Sequence, residues 1–223
     1  AGDTTFAAWT ALLNSGKLGS GDSVTFQKND TIYSGNVGNL SLTINCGDYT
    51  ISGSSYSLSD GATLTLSGNN VNMNVVGDGN LSFTGGKLTG DVTVNGDVTI
   101  AGEVTGDISN YSSLTLNTGA VIGNLSISSA NSETTVTMNG GTVGSINHSG
   151  AAYLHILGGE VTGGLTFSGN GLIEIDGGTF NGNFNISNGS LDENSGDISS
   201  GLIFNGGTIG ADGAPVTVMV NNN

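Results

Sequence analysis

The chain of 223 residues carries eighteen acids against three lysines and no arginine, a net charge of −15. A field of that sign repels phosphate backbones and anionic lipid heads, so no nucleic acid and no membrane surface is expected as a partner. Forty glycines, one proline and 9% charged residues depart from ordinary globular composition, yet 35% hydrophobic residues in short alternating runs supply a core rather than disorder.

No run of about eighteen apolar residues occurs, so no segment reads as a membrane-spanning helix and no membrane insertion by this chain is expected. No Pro-rich linker or shift of composition divides it, and a single domain over 1–223 is predicted, with a cap segment at 1–20 and rungs from 21 to 223. The opening Ala1-Gly2-Asp3 suits the residues that follow signal-peptidase cleavage, the start of a mature exported protein.

The first element is predicted within DTTFAAWTALLNSGK. Phe6, Trp9 and Leu13 fall at helical spacing, Asp3 or Thr4 offers an N-cap, and Gly16 offers a stop. Strand patterns follow at 23–26, 40–44 and 64–66. Cys46 continues the alternation of Leu40, Leu42 and Ile44, so a buried thiol is expected; a lone cysteine excludes an internal disulfide and a multi-cysteine zinc site.

From residue 81 one pattern returns. Its best copies are LSFTGGKLTGDVTV from Leu81, LHILGGEVTGGLTF from Leu154 and IEIDGGTFNGNFNI from Ile173, with weaker copies at Ala101, Leu114, Val136 and Leu202. The glycine steps begin at residues 85, 101, 118, 140, 158, 177 and 206, spacings of 16, 17, 22, 18, 19 and 29 that match solenoid rungs. Three- to five-residue alternating strands are too short and too glycine-rich for helices. The predicted fold is therefore all-β, a right-handed parallel β-helix closed at its first rung by the short helix. The right hand is favoured over the left-handed hexapeptide type because no six-residue register is present.

Stacking rungs about 4.8 Å apart predicts that Val161, Leu165 and Phe167 lie under Phe180, Phe184 and Ile186. The segment SNGSLDENSGDISSG, 187–201, is expected to bulge outward as an insertion. The final PVTVMVNNN has strand pattern and no helix, so Val216, Val218 and Val220 are predicted to form an open edge, where the natural chain continues or another copy pairs.

Chemistry is sparse. Glu160 with Glu174, or Asp91 with Asp107, are the carboxylate pairs a glycosidase would need, but no acid is expected among basic or aromatic residues. His148 and His155 are expected as a surface pair, not a metal site, and no cofactor is expected. Asp192, Glu193 and Asp197 are the only candidates for calcium, within a solvated loop. Two outward columns are predicted. The first is Ser82, Thr115, Thr137, His155, Glu174 and Ile203, and the second is Thr93, Ser126, Asn147, Thr166 and Asn185; both are too mixed to rank ice binding above a structural role.

The segment DTTFAAWTALLNSGKLGSGDSVTF, leading into GGxV and GNLxI rungs, resembles the passenger region of bacterial autotransporters and related β-helical surface adhesins. The resemblance implies export through a bacterial envelope, a secreted or cell-surface location, and adhesion or self-association. It lacks that family's C-terminal membrane barrel, which implies a fragment, a processed product or another export route. The expected function is a non-enzymatic structural or adhesive module binding a cell-surface or matrix ligand. A filament subunit joined through solenoid edges and a polysaccharide-active enzyme are the alternatives.

Overall fold

A computed structural model describes residues 5–32, 38–193, 197–198, 202–204 and 208–209. It is a parallel β-solenoid of about nine turns with one short helix. Each full rung lays down three strands on three walls. In one rung these are Tyr153–Ile156, Glu160–Val161 and Leu165–Phe167; in the next, Leu172–Ile175, Thr179–Phe180 and Phe184–Ile186. Every strand pairs in parallel with its counterpart one rung away, so Val161 sits on Phe180, Leu165 on Phe184 and Phe167 on Ile186, the stacking predicted from the repeat.

Alternation sends every second side chain inward, and the interior is built of columns. On the first wall Leu64, Leu81, Val98, Leu114, Val136 and Leu154 stack in register and are buried. On the second, Val71, Leu88, Val104, Ile122, Val143 and Val161 do the same. Cys46 is part of this interior, and burial pushes its thiol up to about 12, away from nucleophilic use.

The glycine step has a specific cause. The second glycine of four steps has positive φ, at Gly86 (93°), Gly141 (88°), Gly159 (100°) and Gly178 (99°). A Cβ on Gly159 would lie 2.6 Å from the Gly141 carbonyl oxygen of the rung before. The backbone turns with a hand that L side chains avoid, against another backbone, so only glycine fits.

The corner between the second and third walls is held differently. Asn74 Oδ1 accepts the Asp91 N–H at 2.9 Å, Asp91 Oδ1 accepts the Asp107 N–H at 2.9 Å, and Asp107 Oδ1 accepts the Asn124 N–H at 2.9 Å. Each side chain satisfies a turn amide of the next rung. Asp91 and Asp107 do adjoin, as links of this ladder. Glu160 and Glu174 do not: Glu160 is on the second wall and Glu174 on the first.

Several expectations are corrected. The helix spans Trp9–Asn14 and has Ala8 at its N-cap with no side-chain cap bond, while Asp3 and Thr4 lie outside the described residues. Its first amide is satisfied from a distance, the Trp9 N–H donating to Asp30 Oδ2 at 2.7 Å. Trp9 is 2% exposed and its ring lies 6.2 Å from Phe26 and 6.5 Å from Tyr56, closing the interior; Leu12 and Leu13 pack beside it. Phe6 precedes the helix and lies under Lys17, 5.9 Å from its Nζ. Gly16, at φ 63°, ends the helix as expected.

Within the segment 187–201, the described residues 190–193 and 197–198 are strands of the solenoid and not an outward bulge. Ser190–Glu193 pairs with Leu172–Ile175, and Asp197–Ile198 pairs with Thr179–Phe180, so they supply strands of a further rung. Leu202–Phe204 then pairs with Phe184–Ile186 and is a third-wall strand, which removes the anomalous spacing of 29. Val216, Val218 and Val220, with the open edge assigned to them, lie outside the described residues.

Candidate functional site

The first wall carries the chemistry. Its central outward column runs Ser23, Thr43, Thr65, Ser82, Thr99, Thr115 and Thr137, seven hydroxyl residues on successive rungs. The sequence-derived column lacked Thr43, Thr65 and Thr99 and ended on Ile203. In the structure Ile203 pairs with Asn185 on the third wall. Beside the central column, on the same face, run Thr63, Asn80, Asp97, Ser113 and Thr135. The third-wall column was read correctly and gains Ser109 between Thr93 and Ser126.

Above Thr137 the character of the column changes. It continues as His155, Glu174 and Asp192, each in register with the one before. His155 Nε2 and Asp176 Oδ2 are 2.7 Å apart, and both side chains are partly shielded. The Tyr153 hydroxyl donates to Glu174 Oε2, and the Tyr153 ring stacks on His155 with centroids 5.6 Å apart. The Asp176 amide donates to the Ile156 carbonyl at 2.8 Å, which fixes its place on the wall. Donor atoms of His155, Glu174 and Asp176 all lie within 4.8 Å of one another.

This cluster corrects the expectation that no acid stands among basic or aromatic groups. It also separates the two histidines. His148 is fully buried on the third wall, between Ile127 and Phe167, with Nε2 2.8 Å from the Ala152 carbonyl and Nδ1 without a hydrogen-bond partner. Burial holds its imidazole below its ordinary value of 6.5, against the opposing pull of Ala152. His155 alone faces outward.

What the cluster can do follows from its protonation. Burial, then the hydrogen bond to Glu174 and the charges of Glu174, Asp176 and Asp192, push the Tyr153 phenol well above its ordinary value. Tyr153 is therefore a neutral donor that orients Glu174, rather than a phenolate base. Glu174 stands directly opposite Asp192 on the neighbouring strand, a like-charge pairing that costs stability unless a cation offsets it. The arrangement suits cation binding better than proton transfer.

The shallow concavities lie elsewhere. One, of about 290 Å³, is lined by residues including Ser128, Ser149 and Ser168; another, of about 430 Å³, by Ser145, Asn147, Thr166 and Asn185 on the third wall. Both are open and lined by small polar residues and backbone. Of the calcium candidates, Asp192 belongs to the first-wall column, whereas the side chains of Glu193 and Asp197 lie outside the described residues.

Sequence reasoning missed Tyr153 and Asp176. The signal was parity: Tyr153 and His155 share a face, Glu174 and Asp176 share a face, and aligned copies put His155 under Glu174. The fold and this wall define a parallel β-solenoid with a hydroxyl-lined face ending in a His/Glu/Asp/Tyr cluster. No family model, no curated protein and no solved structure matches the chain.

Proposed function

We propose that the chain is a secreted or cell-surface structural module whose polar walls adhere to other cells or to matrix. The observation that supports this reading best is the continuous first wall, where two adjacent columns repeat hydroxyl, amide and carboxylate groups rung after rung. Small-molecule sites are concave and mostly apolar. A low-relief polar wall instead offers many weak, repeated positions to an extended ligand such as a glycan or a matrix polymer.

The test couples the purified chain to beads and measures retention on bacterial cells and on immobilised polysaccharides. Retention above uncoated beads is expected, with loss when Thr99 and Thr115 are both replaced by Lys. Equal retention by coated and uncoated beads sinks the reading. Release of reducing ends or unsaturated products from the same polysaccharides replaces it with a polysaccharide-active enzyme.

One observation favours a second reading. Rungs about 4.8 Å apart and same-face residues about 7 Å apart along a strand place Thr63 with Thr65, and Thr135 with Thr137, on a two-dimensional grid of hydroxyls. Such a grid can order surface water, as an ice-binding face must. Thermal hysteresis that disappears in Thr65→Lys and Thr99→Lys supports it; freezing behaviour identical to that of serum albumin rejects it.

A further inference from the structure

We propose that His155, Glu174 and Asp176 bind a first-row divalent cation, of which zinc is the fitting example, on the outer face of the first wall. This goes beyond the adhesive reading and does not rest on it.

Three observations carry the site. The first is convergence. One imidazole nitrogen and two carboxylate oxygens, from two adjacent rungs, lie within 4.8 Å of one another. Donors around a single zinc ion stand up to about 4 Å apart, with metal–donor bonds of about 2.0–2.2 Å, so side-chain rotations that draw Glu174 in and part the 2.7 Å contact of His155 with Asp176 make room for the ion. The second is preparation. Tyr153 donates to Glu174 and stacks on His155, so one residue orients two of the three ligands from behind. The backbone of Asp176 is tied to Ile156.

The third is charge. Glu174 faces Asp192 across one strand spacing, and Asp176 stands on the same face. All three lysines of the chain fall at or before residue 87, while most of the eighteen acids lie beyond it. No lysine or arginine occurs in the following rungs, so His155, paired with Asp176, is the one basic side chain set among Glu174, Asp176 and Asp192, and a metal ion held by that imidazole brings more positive charge to the three acids than its proton does. The donor set decides which one. Calcium and magnesium prefer all-oxygen shells, whereas imidazole with carboxylates suits zinc and its neighbours. With three protein donors on an open wall, the remaining positions face solvent or a ligand group, as in zinc sites that keep an open position.

The chain has two histidines and one of them is buried, which makes the test specific. The full chain, stripped with EDTA and desalted, is titrated with zinc chloride and followed by calorimetry and by the proton NMR signals of the imidazole rings. One equivalent of zinc is expected to bind, moving or broadening the His155 signals and leaving those of His148 in place. His155→Ala and Asp176→Asn should each weaken uptake about tenfold or more. Both side chains point outward, so circular dichroism and melting should match the parent; each variant covers for a folding failure of the other. Calcium chloride at the same concentration should leave the ring signals unmoved. Unmoved His155 signals in zinc, uptake unchanged in both variants, or an equal response to calcium would each overturn the site.

Discussion

The smallest unit of argument is the glycine pair at a corner. Gly158 and Gly159 are neighbours in one step, yet they answer to different constraints. Gly159 has φ 100°, and a Cβ there would meet the Gly141 carbonyl oxygen and the Met138 side chain, both at 2.6 Å; a Cβ on Gly158 would meet only the Asn139 carbonyl oxygen, at 3.5 Å. Gly159→Ala is expected to cost about 2–4 kcal/mol and Gly158→Ala less than about 1 kcal/mol, read from urea midpoints. Equal losses would show that neither the positive φ nor the close approach at Gly159 sets the cost of the step. His148 makes a second prediction at this scale. Its ring is buried with one nitrogen unsatisfied, and its folded-state value lies below the 6.5 of the unfolded chain. Above that pH the ring is neutral in both states and adds no pH dependence. Below it, unfolded chains take up a proton that the folded form resists, so stability falls with pH by up to about 1.4 kcal/mol per unit. His148→Phe, which copies Phe167 of the next rung, should flatten the change in stability between pH 7 and pH 5. Parallel losses in parent and variant would assign the acid sensitivity to other groups.

At the scale of elements, the short helix depends on a contact no local rule contains. Its first N–H is held by Asp30, 21 residues on, whose Oδ1 also accepts the Thr31 N–H at 2.8 Å. Asp30→Ala is expected to cost about 1–2 kcal/mol and to raise hydrogen exchange first in 9–14, where the cap loosens ahead of the rungs. Exchange rising first in the strands would place the role of Asp30 in the solenoid instead. The same contact explains why the helix start escaped sequence reasoning: Asp3 and Thr4 satisfy a local capping rule, while the operating carboxylate is distant in sequence. The strands were legible where copies align, as in Val161, Leu165 and Phe167 on their partners, because alternation and rung length both repeat there. They were misread at 202–204, where the sequence LIFNGG copies the first-wall pattern although Leu202–Phe204 pairs on the third wall. That slip put Ile203 in the wrong column; Thr43, Thr65 and Thr99 went unseen for a separate reason, since the strands that carry them are not followed by the Gly-Gly step that marks the best copies. His148 was misplaced for another reason: its polarity outweighed its parity with Ile146, although parity sends it inward. The cluster was half legible, His155 and Glu174 from alignment, Asp176 lost because the glycine step was taken to end the face.

The whole molecule is close to one-dimensional. Each rung touches the rung before and the rung after, so stability is a sum of rung and interface terms rather than the property of one central core. A deletion that removes one whole rung then leaves the register of the remaining walls intact. Thr99 and Thr115 are register partners, as are Val98 and Leu114, so residues 99–114 form one complete turn of the coil. Removing 99–114 joins Val98 to Thr115 and preserves inward and outward alternation on every wall. Leu88 then stands under Ile122 and Val92 under Leu125, apolar on apolar as before. Asp91 Oδ1 is left free to accept the Asn124 N–H in place of the Asp107 N–H, so the corner ladder closes again. Removing 99–113 instead joins Val98 to Leu114 and turns Leu114, Leu116 and the first-wall hydroxyls onto the wrong faces, since a shift of one residue inverts a strand. The first deletion should give a soluble, cooperatively melting protein with unchanged strand signature in circular dichroism. The second should aggregate or fail to melt cooperatively. If both fold alike, register is not what holds the rungs together; if neither folds, the coil has a cooperative core that nearest-neighbour stacking does not describe. Under the nearest-neighbour account the hydroxyl wall of the shortened chain loses only Thr99 from its central column, and the cluster of His155 and Glu174, two and three rungs from the join, keeps its geometry.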